Sequence, residues 1–352
     1  MAHDDASVKD SHGASDARAT VRAIATLSGG LDSILAAAIV KRAGIDVLGL
    51  HVRHLFSAHP TDGGDPIALA ANAAGIPLRV LDLGEEHLEI VRHPRHGVGA
   101  GMNPCIDCRI FVLRAAKRVM DEEGGQFVIT GEVLGQRPMS QHRQALDIVA
   151  RESGLGERLF RPLSAALLPE ALPVRQGWIR LEDLPQIHGR SRHEQLALAR
   201  ELGLEHVPPA AGGCLLVEKV YAARLRDAFA HVGADALSKE GFELLGVGRQ
   251  FRLSERVKLI VGRDEKENDR LEEHLAGRIA IRPQDVVGPT ALVEGDPDKA
   301  TLALAAALVA RYCDRGDRER LAMAVGAPPD ECVLEVAPLA ADDPRIAAWR
   351  IG

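Results

Sequence analysis

Two groups of residues in this 352-residue chain carry chemistry in their types and spacing. The first is Leu27–Ser33, LSGGLDS, between an apolar run and an Ala/Leu/Ile-rich stretch. Two glycines, two serines and an aspartate at a strand-to-helix turn have two uses. Amides of a glycine-rich turn that opens a helix carry partial positive charge and bind phosphate. Glycines let the backbone come close to the anion, and Ser28 and Ser33 add hydroxyl donors. A carboxylate such as Asp32 is repelled by phosphate unless Mg²⁺ lies between them. The other use is a helix cap, with Ser28 or Asp32 satisfying free amides, and capping logic alone weighs the two equally. The turn contains neither G-x-x-x-x-G-K-[ST] nor G-x-G-x-x-G, so neither common nucleotide fingerprint applies.

The second group is cysteine. Cys105 and Cys108 stand as C-x-x-C in "NPCIDC", at the start of a predicted helix over 105–123. A helix N-terminus favours thiolate, and the spacing lets two sulfurs face one metal. Cys214 follows in "AGGCLL", where the glycines suggest close approach of the backbone to something bulky. Three cysteines in this order are one short of a closed zinc site. They fit a [4Fe–4S] cluster with one iron open, or a disulfide/persulfide pair plus a spare. Cys313 and Cys332 have no motif around them and read as structural.

These residues need elements to hold them. Apolar strands are expected over 21–27, 46–55, 77–83 and 126–130, with helices over 31–43, 65–74 and 105–123 between them. Such alternation predicts an α/β fold with a doubly wound parallel sheet. Its ligands bind beyond the carboxyl ends of the strands, where residues 28–33, 51–59 and 130–136 fall. Helices are also expected near 191–202, 217–231 and 302–312, and strands over 243–262. A change of character near 233–242 divides a domain over 21–232 from a smaller α+β domain over 243–352. Residues 1–20 read as a polar tail without a signal core.

Hydrophobic residues make up 46% of the chain and aromatics 3%, so the core must be mostly aliphatic. With 43 basic against 50 acidic residues the net charge is −7, which argues against a globally basic nucleic-acid binder but leaves room for a local stripe. Arg92, Arg95, Arg109, Arg114, Lys117 and Arg118 form one such stripe, and Arg137, Arg143, Arg190 and Arg192 a second set. A stripe suffices for phosphate contacts, although solvated helix faces look the same. No apolar stretch reaches membrane-spanning length. A cytoplasmic location is expected, where thiols stay reduced.

LSGGLDS resembles the SGG-x-DS loop of the PP-loop ATP pyrophosphatases, which adenylate a carbonyl or carboxyl oxygen and release pyrophosphate. The resemblance implies an adenine nucleotide alpha hydrolase-like fold. It implies that Ser28, Gly29, Gly30, Asp32 and Ser33 hold ATP phosphates and Mg²⁺, with Ala25, Thr26 and Leu27 against the nucleotide. "MNPCIDCRIFVLRAAKRV" resembles the N-P-x-x-x-C segment of tRNA 2-thiouridine synthetases, and Cys214 matches their second catalytic cysteine in order. "VITGEVLGQR" resembles the strand end they place beside adenine, with Thr130 and Gly131 nearest. Those enzymes often carry aspartate where this chain has Cys105. That departure points toward the three-cysteine, iron–sulfur-dependent tRNA thiolases.

"FRLSERVKLIVGRDEKENDRLEEHL", residues 251–275, resembles the small RNA-binding domain at the end of NFACT-type proteins, through V-G-R-x-x-x-x-N-D-x-L at 261–271 and Gly288-Pro289. Arg263 and Asn268 are the RNA contacts it suggests. The alternative is an appendage for dimerisation or stability, which leaves a homodimer open.

Together these resemblances imply an ATP-dependent tRNA sulfurtransferase. Asp32 would act through Mg²⁺. Cys108 and Cys214 would be catalytic, and with Cys105 would bind a cluster or carry the sulfur. Arg109, Arg114, Lys117 and Arg137 would contact tRNA. Sulfide or a cysteine desulfurase would donate sulfur. The rival readings are a thiolase acting on a small molecule or protein, an amide-forming ligase, and a non-catalytic RNA-binding protein.

Overall fold

Short aliphatic runs separated by glycine-ended helices form a parallel sheet. In this computed structural model, which describes residues 21–56, 65–204, 213–326 and 331–352, the strands are β1 (Arg22–Thr26), β2 (Asp46–Arg53), β3 (Leu78–Asp82), β4 (Phe127–Ile129) and β5 (Leu159–Phe160). Their order is β3-β2-β1-β4-β5. β1 pairs in parallel with β2 and β4, and β4 with β5. The chain order reverses between β1 and β4, so the crevice beyond their carboxyl ends is the expected ligand site. The proposed tail, residues 1–20, lies outside the described residues.

Helix Leu31–Arg42 packs on this sheet through fully buried Ile34, Leu35, Ala36, Ala37 and Val40. Ala36 and Ala37 fill little space, which lets helix and sheet approach closely. At the end of β5, Arg161 forms a buried ion pair with Glu132, Nε to Oε2 2.8 Å. It also donates to the Leu146 carbonyl at 3.1 Å. Thr130 donates its hydroxyl to the same Glu132 oxygen at 3.2 Å. This network lies directly behind the end of β4.

By contacts, Met1–Val52, Thr61–Leu81 and Ile110–Ala210 form one unit, and Arg53–Pro60, Asp82–Arg109 and Ala211–Gly352 another. The expected boundary near 233–242 falls inside the second unit. Phe56, Leu88, Val91, Leu216, Tyr221 and Phe242 share one apolar cluster there. That cluster recruits the helix Gly84–Arg92, which sequence periodicity missed because only His87, Leu88 and Val91 of it are buried.

The C-terminal part of the second unit has six strands: β6 (Arg249–Ser254), β7 (Val257–Val261), β8 (Ile279–Pro283), β9 (Ala291–Glu294), β10 (Leu321–Val325) and β11 (Cys332–Val336). They pair antiparallel in the order β11-β10-β8-β9-β7-β6. Leu259, Val261, Ile281 and Val293 face the core shared with helix Lys299–Ala310. The alternate residues Ile260, Ala280 and Leu292 face Leu244 and Leu271. This is the period of two that a sheet covered on both faces requires. Glu243 and Leu244, expected in a strand, end the helix Lys239–Leu244, whose cap is Ser238 accepting from Gly241 N at 3.1 Å. Cys313 is buried, as a structural cysteine should be, whereas Cys332 is exposed on β11. Among the described residues no helix is long and apolar enough to cross a membrane.

Removing Glu132 would strand a buried guanidinium, a loss of about 3–5 kcal/mol. Glu132→Leu should lower the urea midpoint accordingly, and adding Arg161→Met should recover most of the loss. A Glu132→Leu midpoint equal to wild type would show that the pair is not buried in solution.

Candidate functional site

The LSGGLDS turn leaves β1 and opens helix Leu31–Arg42. Its N-cap is Gly30, and no side chain caps the helix. The capping alternative for Ser28 and Asp32 therefore does not describe this turn. The serines serve the turn itself. Ser33 Oγ donates to the Gly30 carbonyl at 2.7 Å and accepts from Ser28 N at 3.2 Å and Ser28 Oγ at 3.4 Å. Gly29 holds φ +77°, which a side chain would resist.

Asp32 is the unspent group. Its Oδ2 accepts from Gln136 Nε2 at 2.9 Å, while Oδ1 is buried with no hydrogen-bond partner. An unpartnered buried carboxylate oxygen is costly, and a bound cation would satisfy it. Gln136 was not singled out individually; its position at the end of the segment after β4 was the available signal.

The expected adenine-side residues lie where the topology requires. Ala25 and Thr26 are buried in β1, and Thr26 donates to the Ile129 carbonyl of β4 at 3.2 Å. The Leu27 carbonyl accepts from His51 Nδ1 at 2.9 Å. Thr130 N donates to the Phe160 carbonyl at 2.9 Å. A Cβ on Gly131 would lie 2.4 Å from Asp32 C and from Ser33 N, so the two strand ends are in direct backbone contact.

Cys105, Cys108 and Cys214 all fall in the second unit. Gly101 and Met102 bring them together. Met102 N donates to the Leu216 carbonyl at 2.8 Å, and a Gly101 Cβ would lie 2.2 Å from that oxygen. Arg226 donates to the Gly101 carbonyl at 2.9 Å. The glycine needed for close approach is thus Gly101. A Cβ on Gly213, beside Cys214, would meet only Val217 at 3.4 Å.

Burial pushes the Cys108 thiol up to about 12, Arg109 opposes this, and Cys214 and Cys105 add to it. Cys105 and Cys214 are thus both near enough to the Cys108 thiol to disfavour its thiolate. Asn103 Nδ2 donates to Cys105 Sγ at 3.0 Å. Asp107 is held by His96, Nδ1 to Oδ1 2.7 Å. Two histidines join the pocket that the cysteine spacing did not predict. His87 Nε2 lies 3.3 Å from Cys108 Sγ, and the His54 ring stacks on His87 with centroids 4.1 Å apart. Burial, and then His54, lower His87 to about 3. The segment 51–59 had marked only His54, and its residues 57–59 lie outside the described ones.

The expected RNA contacts differ in what they already touch. Arg109 stands beside the Cys108 thiol. Exposed Arg114 donates to the Glu152 carbonyl at 3.1 Å, and Lys117 pairs with Asp121 at 2.9 Å. Arg137 is exposed after β4. Arg263 is tied to Glu267, Nε to Oε1 2.9 Å, and Asn268 Oδ1 accepts from Thr290 N at 3.1 Å. Asn268 is therefore committed to closing its own loop.

Residues 19–166 match the family described as Thiamine biosynthesis protein (ThiI), and residues 248–350 match the NFACT protein RNA binding domain. The two matched segments do not overlap, and each covers less than half of the chain. The tRNA-specific 2-thiouridylase MnmA of Xanthobacter autotrophicus is 30% identical over 199 residues, 53% of this chain and 48% of the relative. The chain spans between about a quarter and a half of the length of the curated relatives it matches. Among solved structures, a 4-thiouridine synthetase–RNA complex with bound ATP is similar over 55% of this chain and 44% of that one, at 20% identity and TM-score 0.38. The U34-tRNA thiolase NcsA from Methanococcus maripaludis with its [4Fe–4S] cluster is similar over 64% and 73%, at 20% identity and TM-score 0.33.

Within the matched segment 19–166, Gly131→Ala should cost about 1–3 kcal/mol, the range for forced overpacking. Gly213→Ala, where the new methyl meets ordinary contact, should stay within about 0.5 kcal/mol. Chemical unfolding of both variants checks this, and equal midpoints would contradict the close approach.

Proposed function

We propose that the chain is an ATP-dependent tRNA sulfurtransferase. The observation that carries the reading is the uncapped helix N-terminus beside Asp32, whose Oδ1 is buried and unpartnered. This is a donor set suited to Mg²⁺ and phosphate. The ThiI family match over the same residues and the MnmA relatives, whose name states a tRNA substrate, support the acceptor. The NFACT match over 248–350 supports a share of RNA binding for the proposed C-terminal domain, 243–352. The proposed catalytic domain is 21–232.

The turn amides with Ser28 and Ser33 would bind the phosphates, and Asp32 would hold Mg²⁺. Thr26 and Thr130 would lie near the nucleoside. A nucleobase carbonyl oxygen attacks the α-phosphorus, pyrophosphate leaves, and the oxygen becomes part of AMP. A sulfur nucleophile then adds at the activated carbon and AMP departs with the oxygen. Cys105, Cys108 and Cys214, the first and last both near the Cys108 thiol and Cys214 packed against the apolar cluster, suit a [4Fe–4S] cluster. Bound there, it would supply positive charge that keeps the sulfurs ionised and one iron without a cysteine ligand. The other route uses Cys108 or Cys214 as the carrier of a persulfide. Sulfide would supply the sulfur on the cluster route. On the persulfide route a cysteine desulfurase would deliver sulfur already at the persulfide level, and the second cysteine would break the S–S bond, leaving sulfur on the base and a Cys108–Cys214 disulfide for a cellular thiol to reduce. The chain would act in the cytoplasm and could work as a homodimer.

Deleting the gene should remove one thiolated nucleoside from bulk tRNA, read by mass spectrometry. Neither Asp32→Asn nor Cys108→Ser should restore it. Purified Asp32→Asn should also lose nearly all Mg²⁺-dependent pyrophosphate release. Unchanged tRNA thiolation in the deletion strain would refute the acceptor, and full activity of a Cys105→Ser/Cys108→Ser/Cys214→Ser variant would refute the sulfur chemistry.

A further inference from the structure

The cysteine pocket contains a second donor set. His54 follows β2, His87 lies on the helix Gly84–Arg92, and Cys108 lies in the first turn of Cys105–Glu122. One donor atom from each of the three comes within 4.8 Å of the others. With metal–nitrogen bonds of about 2.05 Å and metal–sulfur bonds of about 2.3 Å, two tetrahedral ligands stand about 3.5 Å apart. His87 Nε2 and Cys108 Sγ are 3.3 Å apart. Imidazole with thiolate suits a borderline divalent ion such as Zn²⁺ or Fe²⁺.

The surroundings match a metal pocket. The Phe56 ring lies 5.8 Å from His87 and 6.3 Å from His54, and it packs edge-on against Tyr221 and Phe242. An apolar shell of this kind limits water access and strengthens the hold on the ion. The histidine planes are 9° from parallel, so seating one ion between both nitrogens turns one ring about χ2.

We propose that His54, His87 and Cys108 bind a divalent first-row transition ion. The metal centre of this pocket then has nitrogen as well as sulfur ligands. Three protein ligands leave a fourth position for a small exogenous ligand. In the sulfurtransferase reading that ligand is hydrosulfide, and the ion takes the place at Cys108 that the cluster or a persulfide would otherwise hold. Only the identity of that exogenous ligand rests on the proposed function; the metal site itself does not.

The test is anaerobic titration of the chelator-treated full chain with Co²⁺. Wild type should take up one Co²⁺ per chain, with the visible bands of a tetrahedral site and a thiolate-to-cobalt charge-transfer band. His54→Ala and His87→Ala should each weaken uptake by about tenfold or more, the scale on which even outer-shell partners act. His87→Cys should restore uptake with a stronger sulfur band, which a purely structural histidine would not allow. Cys332→Ser should behave as wild type, and unfolding midpoints of the metal-free variants track folding. Wild-type affinity and spectra in both alanine variants would overturn the proposal, as would no uptake by wild type. Histidine-dependent Co²⁺ uptake with tRNA thiolation unchanged on gene deletion would keep the metal site and refute the sulfurtransferase. Lost thiolation with histidine-independent uptake would do the reverse.

Discussion

Gly131, just past β4, meets the first turn of helix Leu31–Arg42 with no room for a single methyl group. A Cβ at position 131 would lie 2.4 Å from the backbone of Asp32 and Ser33, so only glycine lets the two loops touch. Everything in the candidate nucleotide site follows from that approach. It occurs where the strand order reverses, the one edge of a parallel sheet where neighbouring crossovers leave in opposite directions and open a crevice. It lets Gln136 reach Asp32 and align one carboxylate oxygen, leaving the other unspent. The Glu132–Arg161 pair supports the same corner from behind.

The second unit repeats the device. Gly101 lies against the Leu216 carbonyl because it has no side chain, and this contact joins the C-x-x-C segment to Cys214, more than a hundred residues later. The apolar cluster around Phe56, Tyr221 and Phe242 then encloses what was joined. Enclosure has a chemical consequence. It raises the Cys108 thiol and lowers His87, so both are driven toward their neutral forms. A pocket that disfavours bare thiolate and imidazolium selects a cation able to stabilise a thiolate and accept a neutral imidazole.

The C-terminal sheet is held by ionic and carbonyl contacts that consume its cationic groups. Lys258 and Arg278 both pair with Glu294, and Arg282 with Glu272 and Glu331. Buried Arg224 donates to the Leu245 and Gly248 carbonyls at 2.8 Å each, linking the helix Lys219–His231 to the start of the sheet.

Local chemistry was legible in the sequence because it depends on neighbours in the chain. LSGGLDS, the C-x-x-C spacing and the alternation of β1 to β4 with their helices are set within a few residues, by backbone freedom at glycine and by apolar periodicity. Arg263 and Asn268 show the limit: the resemblance suggests RNA contacts, and their hydrogen bonds to Glu267 and from Thr290 N are visible only in the fold. His87 shows it from the other side, since nothing in its flanking sequence separates a ligand from a surface histidine. A glycine turn opening a helix and a set of three cysteines are written in the residue order. That Asp32 keeps an unpartnered buried oxygen, that Gly101 joins the cysteine segments, and that His54 and His87 enter their pocket arise from folding. Those outcomes depend on which distant backbones can approach without a side chain between them, and on what water is then excluded.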